Sequence, residues 1–259
     1  MARCKSLSAF VCLLAVCALI APAVYAGQIE FTVQQQGDEF IASFNGQVAG
    51  LAGAYMLRDG SVEWMEFETW DDGFGLDSDS FESLDELSAE IAGNYTLQIN
   101  HADQISQYSF TIGAIQDSQM PACPIIGELP DELPQQYTFT WDWSGTADAK
   151  VIEFEGGEDE DYVQFEMFYS ADIPGFTDVF YHADFQGFIG DAEAAIFYGN
   201  EVDNLIPNFS LRDGDVDVLG DGLTQYVVAF DSASFTVVPE PMTLGLIALG
   251  SLALIRRRK

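Results

Sequence analysis

The densest group of side chains able to do chemistry lies in the run Asp213–Gly222, which reads DGDVDVLGDG. Its four aspartates are Asp213, Asp215, Asp217 and Asp221. Acidic loops supply the hard oxygen ligands that calcium prefers, and extracellular modules bind this ion with dissociation constants of roughly 10⁻⁴ to 10⁻³ M. The run therefore predicts a calcium site at these four aspartates, with a solvated acidic turn as the alternative.

The same run resembles the later part of a dockerin-type calcium loop. The resemblance implies ligand positions at or near Asp213, Asp217 and Asp221. The first two ligand positions of that pattern fall on Phe209 and Leu211, whose side chains cannot coordinate a cation. Calcium is therefore the one cofactor that the sequence suggests, and only part of the calcium-loop pattern is present.

Side chains for other kinds of catalysis are few. The chain has 2 histidines, His101 and His182. It lacks the Gly-x-Ser-x-Gly nucleophile turn, the His-Glu-x-x-His zinc motif and a phosphate-binding glycine loop. Two carboxylates could serve a glycosidase, but the chain offers 42 Asp and Glu residues and no way to select a pair. We therefore predict a non-enzymatic protein, with a carboxylate-based hydrolase as an alternative.

Aromatic residues suggest a further alternative, a carbohydrate-binding or calcium-dependent adhesive module. Carbohydrate modules stack aromatic faces on sugar rings, and the four tryptophans are Trp64, Trp70, Trp141 and Trp143. Within Tyr137–Trp143 the aromatic residues occupy alternate positions, so they share one face of a strand. Large aromatic side chains in such a row usually fill a core. Whether the tryptophans lie inside or on the surface decides between these interpretations.

The charge excludes several classes of partner. Outside residues 1–26 and 242–259, the chain has 42 acidic and 3 basic side chains, a net charge of −39. Nucleic acids and anionic lipid surfaces are bound through clustered Lys and Arg, so neither is a predicted partner of the body. Apolar residues make up 48 % and aromatic residues 13 % of the chain, which is enough to build a core and argues against disorder.

The N-terminal segment is typical of a secretory signal peptide. Two basic residues precede an uncharged apolar stretch, and Val24 and Ala26 form a small-x-small pattern that predicts cleavage between Ala26 and Gly27. Three of the 4 cysteines lie within 1–26. Only Cys123 would remain in the mature chain, so no intramolecular disulfide is predicted.

The C-terminal segment joins a proline motif, an apolar run and a basic cluster. The motif consists of Val238, Pro239, Glu240 and Pro241. The run Met242–Ile255 has 14 residues without charge, and it predicts a short transmembrane helix of about 21 Å. The basic cluster consists of Arg256, Arg257, Arg258 and Lys259. Such a cluster holds the C-terminus in the cytoplasm.

This arrangement resembles the PEP-CTERM protein-sorting signal, a tail that is also labelled the ice-binding protein C-terminal domain. The resemblance implies export by the secretion machinery of a Gram-negative cell, transient anchoring in the inner membrane, and cleavage near Pro239–Pro241 by an exosortase-type membrane protease. It further implies release to the cell surface or extracellular matrix, where exopolysaccharide is a candidate partner. Ice binding itself is not predicted, because the body has no short Thr-rich repeat.

Between the two ends the sequence predicts an all-β fold of the β-sandwich type. Apolar and polar residues alternate, as in Ile29–Val33 and Tyr95–Ile99, and a period of two is typical of half-buried strands. Pairs such as Gly199–Asn200 mark predicted turns. One short helix is predicted near 83–92, because Ser83–Glu86 has the capping-box pattern.

A proline-rich segment suggests how the body is divided. Residues 116–136 contain four of the 9 prolines and are predicted to form a linker or a long crossover. The predicted domains are a signal peptide (1–26), an N-terminal β unit (27–115), a second β-sandwich unit (137–236) and the sorting signal (237–259). A single large sandwich is the alternative.

The acidic body generates a prediction about stability. Self-repulsion should destabilise the folded protein at low salt, whereas a specific calcium site would add stability beyond screening. We expect millimolar calcium to raise the melting temperature more than sodium chloride does at the same ionic strength, and a chelator to reverse the difference. An equal rise with both salts would leave only screening and would contradict the calcium site.

Overall fold

The structure, a computed structural model, describes residues 27–71, 73–101, 104–156, 165–170, 180–185, 187–220 and 222–239. Within these ranges the chain forms strands, one α-helix and one 3₁₀ turn, so the body is all-β as the alternation predicts. None of the helices in these ranges has the length and apolar character needed to cross a membrane. The predicted signal peptide, 1–26, and the predicted transmembrane helix, 242–255, lie outside the described residues.

In chain order the elements are β1 (Gln28–Gln36), β2 (Glu39–Gln47), β3 (Leu51–Arg58), β4 (Met65–Glu66), β5 (Glu68–Trp70), β6 (Gly73–Asp77), α1 (Leu84–Ile91), β7 (Gly93–His101), β8 (Gln104–Ile112), the 3₁₀ turn (Asp117–Gln119), β9 (Ile125–Ile126), β10 (Glu132–Pro134), β11 (Gln136–Asp142), β12 (Ala149–Gly156), β13 (Phe165–Ser170), β14 (Phe180–Asp184), β15 (Gly190–Glu201), β16 (Asn208–Leu211) and β17 (Leu223–Val238).

The chain forms two compact units, and neither is continuous in sequence. Unit 1 consists of the described residues up to Cys123, Gly145–Ala149 and Tyr198–Phe230. Unit 2 consists of Pro124–Ser144, Lys150–Phe197 and the described residues from Asp231 onward. The boundaries thus differ from those drawn on the sequence, because residues 198–230 belong to unit 1. The proline-rich segment is also divided, and its second part carries β9 and β10.

Unit 1 has two sheets with a common core. The first sheet has the order β17-β1-β2-β6-β5, and the second has the order β16-β8-β7-β3-β4. Only the residues Leu223–Phe230 of β17 belong to unit 1. β1 runs antiparallel to β2 and parallel to β17. The core lies between the sheets, where the Phe44 ring of β2 stacks on the Phe110 ring of β8 with centroids 5.5 Å apart.

Strand β1 is buried on both faces, whereas its alternating sequence predicts a half-buried strand. Its apolar residues face the core as expected. Thr32 is completely buried as well, and Glu30 is 8 % exposed. Thr32 Oγ1 donates to Glu30 Oε1 at 3.1 Å, and the residues paired with them on β2, Ser43 and Asn45, are also buried. The prediction is wrong here because alternation shows which face of a strand is polar. It does not show whether other parts of the chain cover that polar face.

The first described residue is packed tightly. Gly27 immediately precedes β1, and a Cβ at this position would collide with the carbonyl oxygen of Val218. The backbone N–H of Ile29 donates to Gly222 O at 2.9 Å. The chain therefore enters the sheet directly after the predicted signal-cleavage position, at a residue where any side chain would require the backbone near Val218 to move.

The predicted helix is confirmed. Ser83 is the N-cap residue of α1, and its Oγ accepts a hydrogen bond of 3.2 Å from the backbone N–H of Glu86. Leu84 and Leu87 are buried on one face of the helix. Ser88, on the same helix, accepts a hydrogen bond from the backbone N–H of Ile115 at 3.0 Å. The capping-box pattern therefore locates the start of the helix correctly.

Unit 2 has a sheet with the order β13-β12-β15-β17, in which β10 also pairs with β17, and a small sheet with the order β14-β11-β9. The aromatic row of β11 faces the core: Phe139 is completely buried and Trp141 is 3 % exposed. The Phe139 ring lies 5.0 Å from that of Phe154 and 5.3 Å from that of Phe235, measured between centroids. This row fills a core and does not form a surface platform.

One predicted turn is wrong. Gly199 and Asn200 lie inside β15. Beyond β15 the backbone N–H of Val202 still donates to Gln225 O on β17, at 2.9 Å. Pairing along β17 therefore holds the chain extended through a dipeptide whose local preference is for a turn.

Candidate functional site

The C-terminal motif begins at the final residue of the last strand. β17 ends at Val238, and Pro239 is the last described residue. Val237 is completely buried and pairs with Leu133 of β10, while Val238 pairs with Pro134. Glu240, Pro241 and the residues up to the basic cluster at 256–259 lie outside the described residues. The motif therefore begins within the folded part of unit 2.

The aspartates of the predicted calcium run have structural partners. Asp215 Oδ2 accepts a hydrogen bond from the backbone N–H of Gln107 at 2.9 Å. Asp217 Oδ1 accepts from the backbone N–H groups of Leu219 at 3.2 Å and Gly220 at 2.9 Å. These bonds cap the turn that follows Asp217 and fasten the run to β8. Asp213 is exposed, and Asp221 lies outside the described residues.

Tyr108 of β8 connects the strand to the same turn. Its hydroxyl donates to Asp217 Oδ1 at 3.0 Å and accepts from the backbone N–H groups of Val218 at 2.9 Å and Leu219 at 3.2 Å. The side chain is 1 % exposed. Burial is the main cause that raises the pKa of Tyr108 to about 12. The neutral phenol therefore acts as both donor and acceptor at the base of the turn.

No group of three or more His, Cys, Asp and Glu side chains is placed to hold a metal ion within the part of the chain that the structure describes. One oxygen each of Asp215 and Asp217 already accepts hydrogen bonds. Calcium at Asp213, Asp215, Asp217 and Asp221 stays a prediction, since the fourth aspartate is not among the described residues.

Unit 1 contains a cavity of about 690 Å³ that sequence reasoning did not identify. Side chains of both sheets line it, and the buried ones among them form its apolar floor. The buried aromatic and apolar residues are Phe31, Ala42, Phe44, Met56, Tyr95 and Ile112. The exposed carboxylates at its opening are Glu63, Asp77, Asp79 and Glu90. These residues come from six strands, α1 and two loops, so no local spacing in the sequence connects them.

Arg58 is a basic residue at the edge of this cavity and is held in place by neighbours. Its Nη2 donates to the backbone carbonyl of Ala92 at 2.8 Å, and its guanidinium carbon lies 5.9 Å from the centroid of the Tyr95 ring. Tyr95 OH in turn donates to Ile91 O at 2.7 Å. The arginine therefore fastens the end of α1 to the second sheet.

The tryptophans divide between core and surface. Trp64 is 41 % and Trp70 is 36 % exposed, both in unit 1, and Trp64 lies between Glu63 and Met65, which line the cavity. Trp141 is buried in unit 2. Trp143 is half-buried, and Lys150 Nζ lies 5.0 Å from its ring centroid. Only Trp64 and Trp70 are therefore suited to contact a ligand from solution.

The histidines and the cysteine are placed apart from these features. His101 ends β7 in unit 1, whereas His182 lies on β14 in unit 2, with Nδ1 2.9 Å from Thr138 Oγ1. Cys123 is half-buried, and its Sγ donates to Phe230 O at 3.4 Å. His101 belongs to unit 1 and His182 to unit 2.

A family comparison identifies the tail. The model of the PEP-CTERM protein-sorting motif matches residues 237–259. This tail is a PEP-CTERM sorting motif. A PEP-CTERM motif directs export and recognition by exosortase, a membrane protease, so the resemblance seen in the sequence is confirmed for these residues. None of the curated proteins matches the chain.

Comparisons with solved structures give low scores. The chain is similar to the crystal structure of Dpr11 IG1 bound to DIP-gamma IG+IG2, with 14 % identity, a TM-score of 0.22, and coverage of 77 % of this chain and 96 % of the other. It is also similar to the titin fragment A168169, with 8 % identity, a TM-score of 0.20, and coverage of 83 % and 98 %. These TM-scores are too low to support an argument about fold or function.

The turn after Asp217 generates a prediction about Tyr108. Tyr108→Phe removes a buried donor and acceptor and leaves two backbone N–H groups with poorer partners, so the free energy of unfolding should fall by about 1–3 kcal/mol. Asp213→Asn, an exposed change in the same run, should stay within about 0.5 kcal/mol of the wild type. Urea unfolding with chelator present measures both variants. Equal stability of Tyr108→Phe and wild type would contradict the structural role.

The cavity opening generates a prediction about pH. Although Asp77 is exposed as a residue, partial desolvation of its carboxyl group raises its pKa above the usual 3.8. A hydrogen bond from Ser43 opposes this rise, and the charge of Glu68 adds to it. Ionised Asp77 therefore destabilises the fold above its folded pKa, and this cost disappears as the pH falls below the unfolded value.

We accordingly expect Asp77→Asn to raise the melting temperature at pH 7, with a gain that shrinks toward zero below about pH 4. Asp38→Asn, in the exposed β1–β2 turn, removes the same charge and corrects for the change in overall repulsion. A gain no larger than that of the control at pH 7 would contradict the prediction.

Proposed function

We propose that the protein is a non-enzymatic cell-surface or extracellular-matrix protein that an exosortase releases from the inner membrane. The observation that carries this proposal is the PEP-CTERM motif at 237–259, joined directly to β17. The motif accounts for export and for recognition by exosortase. The surface destination and the absence of catalysis are the parts that the proposal adds.

The sequence of the tail suggests how each part acts. The basic cluster at 256–259 remains in the cytoplasm, and the apolar run at 242–255 stops in the inner membrane. The proline motif then lies at the outer face, where Pro241 lacks an amide donor and biases Glu240 toward an extended conformation. Extended, unpaired backbone is suited to a protease cleft.

The end of β17 limits where cleavage is tolerated. Val237 is completely buried and Val238 pairs with Pro134. A cut before Val238 would remove a paired residue from unit 2, whereas a cut after it would leave β17 complete. Cleavage is therefore expected on the C-terminal side of Val238.

This proposal predicts the product of processing. Mass spectrometry of the protein from the surface material of its host should find a new C-terminus near Glu240 and beyond Val238. The double variant Pro239→Ala/Pro241→Ala should remain in the inner-membrane fraction. Its matched control is Pro130→Ala/Pro207→Ala, which changes two exposed prolines elsewhere and should be released normally.

Two outcomes would contradict the processing scheme. One is recovery of intact Met242–Lys259 on the mature surface form. The other is unchanged release of the Pro239→Ala/Pro241→Ala variant, since that would mean that the protease does not recognise the proline motif.

Carbohydrate binding is a second candidate function, supported by the exposure of Trp64 and Trp70 in unit 1. A flat aromatic face in water can stack on a sugar ring, and exposed Glu63, Glu66 and Glu68 beside these residues offer acceptors for sugar hydroxyls. Exopolysaccharide of the host is the expected ligand. A calcium-dependent adhesive module and a carboxylate-based hydrolase remain weaker alternatives, because the described residues supply no comparable observation for them.

The exposed tryptophans generate a binding prediction. If the protein retains host exopolysaccharide in a pull-down assay, Trp64→Ala/Trp70→Ala should weaken that binding by about tenfold or more, equivalent to roughly 1.4 kcal/mol. Phe180→Ala changes an aromatic residue of similar exposure in unit 2 and should have no effect. Absence of binding by the wild type, or equal binding by all three proteins, would remove this second candidate.

A further inference from the structure

The cavity of unit 1 has the dimensions and lining of a small-molecule site. Its volume of about 690 Å³ lies within the range of roughly 300–1,000 Å³ that is typical of ligand pockets. Phe31 and Phe44 come from the first sheet, while Met56, Tyr95 and Ile112 come from the second. Such sites combine an apolar interior with a few polar groups that orient the ligand. The apolar floor would accept a hydrocarbon or ring.

The opening of the cavity is strongly acidic. Glu63, Asp77, Asp79 and Glu90 all line it and all are exposed. Ser61 and Ser78 are the hydroxyl side chains at the same opening. The lining therefore contributes four carboxylates to the opening, in a body whose net charge is −39.

Arg58 does not balance these carboxylates. Its guanidinium is held by the carbonyl of Ala92 and the ring of Tyr95, so its orientation is set by α1 and β7. An anionic ligand group would face repulsion from the acidic body. A cationic ligand group would be attracted by the acidic body, and Arg58 is the one basic residue of the lining that would repel it.

Asp77 gives a further reason to expect a cation. Asp77 lies at the end of β6 and is exposed as a residue, but partial desolvation of its carboxyl group raises its pKa. A hydrogen bond from Ser43 lowers this pKa, and the charge of Glu68 raises it further. A positive charge placed beside Asp77 would stabilise its ionised form, because an opposite charge within about 4–6 Å favours the charged state of a carboxyl group.

We propose that the unit 1 cavity binds a small ligand with an apolar body and a positively charged amine group. The apolar body lies between the two sheets, against Phe31, Met56 and Tyr95, and the amine lies at the opening beside Asp77 and Asp79. The proposal is independent of the sorting tail and of sugar binding at the exposed tryptophans.

Three probes of equal chain length test the chemical class: 1-octylamine, 1-octanol and octanoate, each below its micelle concentration at pH 7. Isothermal titration with the folded mature chain should give the tightest binding for octylamine, at least tenfold weaker binding for octanol, and the weakest binding for octanoate. The preference for octylamine should fall as salt is added, because screening weakens attraction between exposed charges.

Variants of the opening separate charge from shape. Asp77→Asn/Asp79→Asn should reduce the affinity for octylamine at least threefold and leave the affinity for octanol unchanged. Asp38→Asn/Asp59→Asn removes the same number of charges at two exposed turns and is the matched control. An equal loss in both double variants would mean that only the overall charge matters, which would overturn the proposed position of the amine.

Variants of the interior test the location. Ala42→Leu adds volume to a lining residue that is 6 % exposed and should abolish binding of both octylamine and octanol. If this variant does not fold, judged by circular dichroism, Leu76→Phe fills the cavity from the half-buried edge instead. Unchanged binding in the folded filling variant, equal affinity for octylamine and octanol, or no binding of octylamine to the wild type would each overturn the proposal.

Discussion

Strand β17 is the element on which the rest of the structure depends. Its first half pairs in parallel with β1 over eight residue pairs, and its last three residues pair with β10 in unit 2 before the sorting motif begins. Parallel neighbours require a crossover, and here nearly the whole body lies between the two strands. The first sheet of unit 1 therefore cannot be completed until the chain is available as far as Phe230. Pairing over such a long sequence separation is expected to be slow, because loop closure must precede the contacts that stabilise it.

Electrostatics gives unit 1 its second constraint. A body with 42 acidic and 3 basic side chains cannot neutralise its surface by ion pairs. Arg58 faces the backbone carbonyl of Ala92 and the ring of Tyr95, so it stabilises the end of α1. Asp215 and Asp217 accept hydrogen bonds from backbone N–H groups, which stabilise their negative charge. The acidic groups at the cavity opening have no comparable set of backbone donors among the described hydrogen bonds.

Local signals in the sequence predicted local features well. Ser83 and Glu86 located α1, and alternation on β11 predicted that Phe139 and Trp141 share a core face. Features that depend on contacts between residues far apart in the chain cannot be predicted from such local signals. The hydrogen bond between Tyr108 and Asp217 joins residues 109 positions apart, so no local pattern indicates it. Gly199–Asn200 has the local preference of a turn, and only its pairing with β17 makes it a strand. The cavity combines residues of β1, β2, β3, β6 and α1, which no spacing rule joins. The unit boundaries after Cys123 and Phe230 likewise depend on pairing between distant strands, such as β1 with β17.

The position of both chain ends has a consequence for the lifetime of the protein outside the cell. Gly27 is packed against Val218 at the start of β1, and Val238 is the final residue of β17. If the segments beyond these positions are removed, both termini lie next to paired strands. Proteolysis often begins at poorly ordered termini, so the processed chain would offer few such sites. Aminopeptidases and carboxypeptidases would have to pull a paired strand out of a sheet before removing a residue. Degradation in a surface or matrix setting would then depend on endopeptidases that cut the exposed turns, so the turns would set how long the protein persists.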